Sequence, residues 1–304
     1  MSTILNTSRA RTAARVSAGT PTAAGDRGLE RASPLLRLLY LMTAPYKNFL
    51  VPSSWLLWLM RRSKSPLVAD ALVCPGSWRS MEITYRNDEP VDWVDRAALR
   101  TNPIAMAARN RRAIVTARLS ALIARYGETA PVTVLGVGAG PGRHVQTAIV
   151  DSGIDPARVT AYLIDRDDDA FDYGRALAAR LEIASCVHFI KGDALRIRET
   201  LPDVAAQVVK VVGLAEYLND NELVALLGAL RDVMTPDGSL VTHGLVDVYR
   251  TARFLARVFN LRHHQRNAQQ MTTLLEAAGF RTIDCVIEPM GIHPIITAVP
   301  DERR

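Results

Sequence analysis

The chain has 304 residues, enough to bury a large hydrophobic core in one domain with an accessory segment. Its formal net charge of +6 is uneven, because residues 1–64 hold ten Lys and Arg against two Asp and Glu, whereas the rest holds 27 against 29. The main body is therefore not basic, which argues against nucleic acid as the partner. Three widely spaced cysteines, Cys74, Cys186 and Cys285, favour neither a disulfide framework nor a Cys-x-x-Cys metal site, and they predict a protein of the reducing cytoplasm.

A polar tail and an apolar segment open the chain. Residues 1–33 are rich in Ala, Ser, Thr, Arg and Gly with little apolar periodicity, a composition that predicts a disordered tail. Residues 35–60 are hydrophobic, but Pro45, Lys47 and Pro52 interrupt the run. Since a membrane span needs about 20 continuous apolar residues, the sequence predicts two short buried or interfacial helices there instead of an integral membrane segment.

A longer helical pattern follows over residues 92–127. Ile104, Ile114, Leu119 and Ile123 recur near helical spacing, and arginines occupy intervening positions. We therefore interpret residues 34–128 as one N-terminal helical segment. All four tryptophans precede the main domain, and they favour a lid over an apolar pocket, packing against the main domain, or both. The tryptophans are Trp55, Trp58, Trp78 and Trp93.

From Pro131 onward, apolar strand patterns alternate with helical ones, which predicts an α/β domain over residues 129–304. The predicted strands are 132–136, 159–164, 186–190, 207–212, 239–244, 281–288 and 292–298. The predicted helices are 142–152, 168–181, 219–233, 248–259 and 267–278. Long crossovers imply a doubly wound, mostly parallel seven-stranded sheet. Only Glu288–Gly291 separates the last two strands, so the sheet should finish with a hairpin and an antiparallel edge strand.

The first of these strands runs into a glycine-rich turn, Thr133-Val-Leu-Gly-Val-Gly-Ala-Gly-Pro-Gly142. Glycine accepts positive φ and carries no Cβ, so the backbone can approach a ligand closely, and Pro141 suits a first helical turn. The dinucleotide pattern Gly-x-Gly-x-x-Gly fails here, because Pro141 or Arg143 occupies its third glycine position. The turn also lacks the Gly-Lys-Ser/Thr of a triphosphate loop.

With this turn and strand pattern, residues 131–299 resemble a class I S-adenosylmethionine-dependent methyltransferase. The resemblance implies a Rossmann-like fold with S-adenosylmethionine as cofactor. It assigns Gly136, Gly138 and Gly140 to the loop that admits the methionine end of the cofactor. Leu214, after the fourth strand, joins the same predicted site.

Two acidic residues at strand ends extend this resemblance. Asp165 ends the second strand, where the family places a carboxylate against both ribose hydroxyls, and one carboxylate can accept from a vicinal diol. The neighbouring Arg166 is included in the cofactor site. Asp193 follows the third strand, where the family uses an Asp and the next backbone N–H, here Ala194, to bind adenine. Three further carboxylates, at residues 167–169, favour the positive start of the following helix.

Three residues are candidates for the chemistry. Glu216 and Tyr217 follow the fourth strand, beside the expected position of the sulfonium, which a carboxylate or an aromatic face can stabilise. The alternative interpretation is a solvated Glu216 and a packing Tyr217. His243 follows an apolar run and is either a base that takes a hydroxyl proton or a hydrogen-bonded core histidine. The acidic constellation of magnesium-dependent relatives is absent, so no metal is predicted.

These features predict a bacterial enzyme that methylates a small aromatic or apolar acceptor and releases S-adenosylhomocysteine. Natural-product biosynthesis, including antibiotic biosynthesis, is the expected context. One alternative is a methyltransferase-like cyclase, for example one that closes cyclopropanes by displacing a thioether. Another is a non-catalytic cofactor-binding or membrane-associated protein that works through residues 35–60, and this segment is also a candidate homodimer surface.

Overall fold

The computed structural model describes residues 28–301, and a seven-stranded sheet forms its centre. The strands are β1 (Val132–Val137), β2 (Val159–Asp165), β3 (Val187–Lys191), β4 (Ala206–Val211), β5 (Met234–His243), β6 (Phe280–Ile287) and β7 (Pro294–Pro300). Their order across the sheet is β3-β2-β1-β4-β5-β7-β6. β1 to β5 pair in parallel, and β7 runs antiparallel to both of its neighbours. The predicted fold class is therefore confirmed.

The terminal hairpin differs from the sequence expectation in one respect. β7, the last strand, lies between β5 and β6, so β6 forms the edge of the sheet. The reason is visible in burial, because Ile295 and Ile296 of β7 are fully buried, whereas Ile283 and Ile287 of β6 are exposed. The more apolar strand takes the interior position, where both of its faces are covered.

Helices cover both faces of the sheet. Those of the main domain are α7 (Arg143–Asp151), α8 (Asp169–Arg180), α9 (Ile197–Thr200), α10 (Asp220–Arg231), α11 (Ala252–Phe259) and α12 (Ala268–Ala277). On one face α10 and α12 bury leucines against β4, β5 and β7. On the other face α7 and α8 pack on β1 to β3. Two separate apolar cores hold the sheet between them, as expected for a doubly wound fold.

Among residues 28–131, six α-helices precede the sheet. They are α1 (Pro34–Pro45), α2 (Ser53–Arg62), α3 (Pro66–Val73), α4 (Trp78–Arg86), α5 (Trp93–Leu99) and α6 (Pro103–Gly127). The prediction of two short helices in the apolar segment is confirmed, with a π-helical turn over Tyr46–Leu50 between them. Within residues 28–301, no helix combines the length and the hydrophobicity that a membrane crossing requires.

The longest of these helices, α6, packs directly on one face of the sheet. Its residues Val115, Leu119 and Ile123 are fully buried in the core shared with β1 and α7. Its first half also fixes the start of the described chain, because Asn110 exchanges hydrogen bonds with the Glu30 backbone at 2.7 and 2.8 Å. Arg109 forms an ion pair with the Glu30 side chain. Residues 28–33 are thus held against α6, although the sequence predicts a disordered tail over residues 1–33. The rest of that predicted tail, residues 1–27, lies outside the described residues.

The β6–β7 hairpin is organised by one buried carboxylate, that of Glu288. Its Oε1 accepts from the backbone N–H of Ile292 at 2.8 Å and of His293 at 3.2 Å. Its Oε2 accepts from the N–H of Met290 at 2.7 Å and from Asn110 Nδ2 at 3.1 Å. Glu288 therefore links the hairpin turn to α6, which a sequence pattern cannot show.

We expect Glu288→Ala to lower the free energy of unfolding by about 3 kcal/mol or more, since it leaves several buried donors unpaired. Urea titration followed by circular dichroism measures the change. Glu199→Ala is the control, because Glu199 forms only an exposed pair with Arg196 one helical turn away, and we expect that variant to stay within about 0.5 kcal/mol of wild type. Equal effects of the two substitutions would contradict this role for Glu288.

Candidate active site

The turn between β1 and α7 is built from residues in the left-handed region. Gly138, Gly140 and Gly142 have φ of +56°, +53° and +72°, conformations that side chains rarely adopt. Because Gly142 takes the N-cap position, α7 begins at Arg143, and Pro141 lies in the turn instead of the predicted first helical turn. Gly136 differs from the others: a Cβ there would lie 2.8 Å from Leu163 Cδ2, so this glycine permits close packing of β1 on its neighbours.

Asp165 locks this turn to the end of β2. Its Oδ2 accepts from the Gly140 N–H at 2.7 Å, and its Oδ1 accepts from the Asp167 N–H at 3.0 Å. A hydrogen bond between backbone groups, from the Ala139 N–H to the Ile164 carbonyl at 3.1 Å, also joins the turn to β2. Each carboxylate oxygen keeps capacity to accept a further hydrogen bond.

The other predicted cofactor residues separate into two groups. Leu214 lies beside the glycine turn, where its Cβ is 2.9 Å from the position of a Cβ on Gly138. Arg166, Asp193 and Ala194 do not line the cavity. Arg166 forms an ion pair with Asp193, and this guanidinium lowers the pKa of the Asp193 carboxyl. Asp193 also accepts from the Leu195 N–H at 3.0 Å, so it caps a turn.

The carboxylates at residues 167–169 contribute differently to the start of α8, and Asp169 lies in its first turn as predicted. Asp168 occupies the N-cap position of α8, but its side chain makes no capping hydrogen bond. It pairs instead with Lys191 Nζ at 3.0 Å, which is the main cause of the lowered pKa of Asp168. Asp167 accepts from the Asp169 N–H at 3.1 Å and supports the helix start.

A cavity of about 610 Å³ adjoins the glycine turn and Asp165. Its size falls in the range of small-molecule sites. One end is polar, and the other is formed largely by apolar side chains from the N-terminal helices and α11. Those apolar residues include Met60, Leu67, Val68, Trp93, Val94, Ala97, Ile104, Phe254, Leu255 and Phe259. Two of the four tryptophans, Trp78 and Trp93, line this cavity, whereas Trp55 and Trp58 point to solvent.

A buried lysine lies at the polar end of the cavity. Lys210 is on β4, in register with Gly136 of β1, and it is 2% exposed. Its Nζ donates to the Gly138 carbonyl at 3.3 Å. Burial lowers the pKa of Lys210 to about 8, with the Asp165 carboxylate opposing that change and Arg111 adding to it. Near neutral pH this amine can therefore exist in both protonation states.

Glu216 and Tyr217 also line the cavity, in a short turn after β4. Glu216 is 8% exposed; its Oε1 lies 3.5 Å from Arg111 Nη1, and its Oε2 has no hydrogen-bond partner among the described residues. Burial and the Glu216 carboxylate raise the pKa of Tyr217, so its hydroxyl stays protonated and can donate. Both side chains therefore face the cavity that adjoins the glycine turn.

His243 lies behind this wall and not on it. Its Nε2 is 2.5 Å from Arg111 Nη1, and since a guanidinium can only donate, that nitrogen is the acceptor. Its ring stacks on His293 with centroids 5.1 Å apart. Burial and the Arg111 charge hold the pKa of His243 well below its usual range. This arrangement matches the core-histidine interpretation and disfavours His243 as a base, because its lone pair is already used.

Helix α4 covers the glycine turn from the N-terminal side. Buried Glu82 accepts from Arg143 Nε at 2.7 and 2.8 Å, which ties α4 to the start of α7. Trp78 Cβ lies 3.4 Å from the position of a Cβ on Gly140, and the Trp78 ring packs against Tyr173. The Nε1 of Trp78 is buried without a partner among the described residues.

Sequence reasoning missed Arg111, His144, Lys210 and Glu82 as parts of this site. Lys210 carried a usable signal, because a lone lysine inside Val208-Val-Lys-Val-Val212 interrupts a buried strand. His144 is buried beside the turn, and its Nε2 has no partner among the described residues. Arg111 and Glu82 carried no such signal, since both lie on helices with many charged residues.

Comparison with solved structures finds the same fold in several proteins. A Bordetella parapertussis protein described as a possible exported protein is 20% identical with a TM-score of 0.66, over 89% of this chain and 97% of the other. Magnesium protoporphyrin IX methyltransferase from Synechocystis PCC 6803 is 14% identical with a TM-score of 0.53, over 73% of this chain and 93% of the other. The pyocyanin biosynthetic protein PhzM is 17% identical with a TM-score of 0.51, over 92% of this chain and 76% of the other.

Comparison with curated proteins finds no significant match. A protein-family model described as "Putative methyltransferase" matches residues 79–299, which is most of the chain. The matched range starts in α4 and extends into β7, so it includes the helices over the turn as well as the sheet. The chain belongs to this methyltransferase family, and the resemblance to class I S-adenosylmethionine-dependent methyltransferases is confirmed.

Proposed function

We propose that this protein transfers a methyl group from S-adenosylmethionine to a small apolar or aromatic acceptor. The observation that carries the proposal is the continuity of one cavity, which joins the glycine turn and Asp165 to an apolar compartment under the N-terminal helices. A cofactor at the turn and an acceptor in the compartment would thus meet within one enclosed space. Holding two reactants close and in line supplies most of the acceleration in such a transfer.

The residues around the turn fit the proposed cofactor. Asp165 keeps acceptor capacity for a pair of hydroxyls, while its bonds to the turn fix its direction. The left-handed Gly138 and Gly140 keep side chains away from the backbone that faces the cavity. The Glu216 carboxylate, which lines the cavity and lies 3.5 Å from Arg111 and 3.7 Å from His243, offers a negative charge to a cationic sulfonium. When bound, S-adenosylmethionine supplies an activated methyl group on that sulfonium.

The other end of the cavity favours an acceptor with a flat or aliphatic body. Trp93, Phe254 and Phe259 present aromatic surface there, and leucine, valine and alanine side chains fill the rest of the wall. The polar groups cluster at the turn end, so we expect the reacting atom of the acceptor to point toward Lys210, Glu216 and Tyr217.

We assign proton removal from the acceptor to Lys210. As a neutral amine its Nζ can take the proton of an acceptor hydroxyl or N–H group and become an ammonium, while the acceptor atom keeps the electron pair that attacks the methyl carbon. Protonated Tyr217 serves as a hydrogen-bond donor that positions the acceptor. His243 orients Arg111 from behind the wall.

The setting that fits best is natural-product biosynthesis in a bacterial cytoplasm. The pyocyanin biosynthetic protein has the same fold, and the apolar compartment suits the flat acceptors expected from the sequence. Cys74 is an exposed free thiol, as expected for a reducing compartment. Product mass separates methyl transfer from the cyclase alternative, because transfer adds a methyl group to the acceptor whereas ring closure with loss of a thioether does not.

We expect Asp165→Ala to weaken S-adenosylmethionine binding by at least about a hundredfold, since it removes charged hydrogen bonds to two hydroxyls. Calorimetric titration with S-adenosylmethionine and S-adenosylhomocysteine measures the loss. Asp172→Ala is the matched control, because Asp172 is an exposed carboxylate on α8 whose partner is Arg175, and its titration should match wild type. Absence of binding to folded, ligand-free wild-type protein would refute the proposed function.

We expect Lys210→Met to abolish turnover of an acceptor found by mass-based screening, and Lys210→Arg to do the same because arginine does not release its proton. The wild-type rate should rise with pH up to about 8 and then level off, following the neutral form of Lys210. A Lys210→Met variant that keeps the wild-type rate and pH profile would exclude Lys210 as the base.

Stability gives an independent test of the buried lysine. A pKa of about 8 instead of 10.5 means that burying the charge costs about 3 kcal/mol at pH 7, against about 1 kcal/mol for the lost hydrogen bond to Gly138. Lys210→Met should therefore be more stable than wild type by about 2 kcal/mol at pH 7. Because the unfolded chain holds this proton more firmly, wild-type stability should gain from about pH 8 to 10.5, and Lys210→Met should lack that gain.

A further inference from the structure

The first two helices and the turn between them expose a large apolar surface, which we call the N-terminal apolar face. Each of its ten side chains is between 44% and 76% exposed. They are Leu35, Leu38, Leu39, Leu41, Met42, Tyr46, Phe49, Leu50, Trp55 and Trp58. Apolar surfaces of this extent on otherwise soluble folds mark interaction sites.

The charged residues of the segment that forms this face have one sign, although Asp247 of the main domain lies near Lys47. Between Arg31 and Ala69 the sequence contains six Lys and Arg residues and no Asp or Glu. Arg62 lies 4.3 Å from the ring centroid of Trp58, which belongs to the face, and Arg61 precedes it in the last turn of α2. Lys47 follows Tyr46 of the face in the chain, and its Nζ lies 4.6 Å from the ring centroid of Tyr40 on the inner side. Aromatic and aliphatic groups flanked by cations are the composition of a surface that binds anionic lipid.

The face is presented by a fixed backbone and not by a loose loop. Arg257 of α11 donates to the carbonyls of Lys47 at 3.2 Å, Asn48 at 2.5 Å and Val51 at 2.8 Å. Buried Asn48 donates in return to the Arg250 carbonyl at 2.7 Å. The π-helical turn that exposes Phe49 and Leu50 is therefore held against the main domain.

The same helices also contribute to the cavity. Tyr40 of α1 and Met60 of α2 line it, next to Leu67 and Val68 of α3. The apolar compartment thus lies on the inner side of the segment whose outer side is the N-terminal apolar face. A surface that binds lipid would bring this compartment close to molecules dissolved in the lipid.

Two other occupants fit less well. A second copy of the chain would place the same six cations against their own symmetry mates, with no acidic residue in residues 31–69 to pair with them. Residues 1–27 also carry net positive charge, and their large apolar residues are limited to Met1, Ile4, Leu5 and Val16. Neither the charge nor the apolar content of this stretch complements the face.

We propose that the N-terminal apolar face docks on the surface of an anionic lipid membrane without crossing it. As an extension that rests on the proposed function, the acceptor is an apolar molecule that partitions into that membrane. The docking itself does not depend on methyl transfer, so the two can be tested separately.

The test is co-sedimentation of the full chain with phosphatidylcholine vesicles that either contain or lack phosphatidylglycerol. We expect binding to the anionic vesicles that weakens as salt is raised. The double variant Phe49→Ala/Trp55→Ala should bind on the order of a hundredfold more weakly, because it removes two aromatic side chains from the face. Neither residue lines the cavity, so calorimetric affinity for S-adenosylmethionine should remain that of wild type.

The matched control is Ile283→Ala/Ile287→Ala, which removes two exposed apolar side chains from β6 at the far edge of the sheet and should leave vesicle binding intact. Absence of wild-type binding to anionic vesicles, or equal binding by the Phe49→Ala/Trp55→Ala variant, would overturn the proposal. A dimer in sedimentation that this variant dissociates, without vesicle binding by wild type, would assign the face to a second copy. Absence of cofactor binding by the wild-type protein would instead refute the proposed function and leave the docking proposal standing.

Discussion

The glycine turn after β1 is the constraint on which the site depends. Three glycines in the left-handed region reverse the chain tightly, and the backbone at Gly138 and Gly140 lines the cavity without a side chain of its own. The turn is stabilised from β2 by the Asp165 carboxylate, and α4 lies so close to it that a Cβ on Gly140 would be 3.4 Å from Trp78 Cβ. This backbone path fixes where Asp165 meets the turn, where α7 begins and where α4 packs.

Several charged groups are buried at the polar end of the cavity. Arg111 and Lys210 are almost fully buried, and the Glu216 and Asp165 carboxylates lie near them. Such an arrangement is costly in an empty protein core, because each charge loses its water. It becomes useful where a ligand with polar groups completes the set. His144, Trp78 and Glu216 line the same space, and each has a buried polar atom without a hydrogen-bond partner among the described residues. The site is therefore organised for a ligand more than for stability.

The N-terminal helices have two different sides. The inner sides of α1 to α6 close the apolar compartment and, through α6, complete one face of the sheet. The outer sides of α1 and α2 stay apolar and cationic. This asymmetry explains why the segment is so rich in leucine and tryptophan although few of those side chains are buried. It also makes the segment, and not the sheet, the part of the molecule that supplies most of the wall of the apolar compartment.

The sequence by itself determined the sheet, its crossover helices and the glycine turn, because these depend on local periodicity and on residues with special backbone freedom. It also placed Asp165 at a strand end beside that turn. Only the tertiary structure decided that β7 lies inside the sheet, that Asp193 pairs with Arg166 away from the cavity, and that His243 is held by Arg111. Contacts such as Arg111 with His243, or Glu82 with Arg143, join residues far apart in the chain, and no local pattern specifies which distant charges meet.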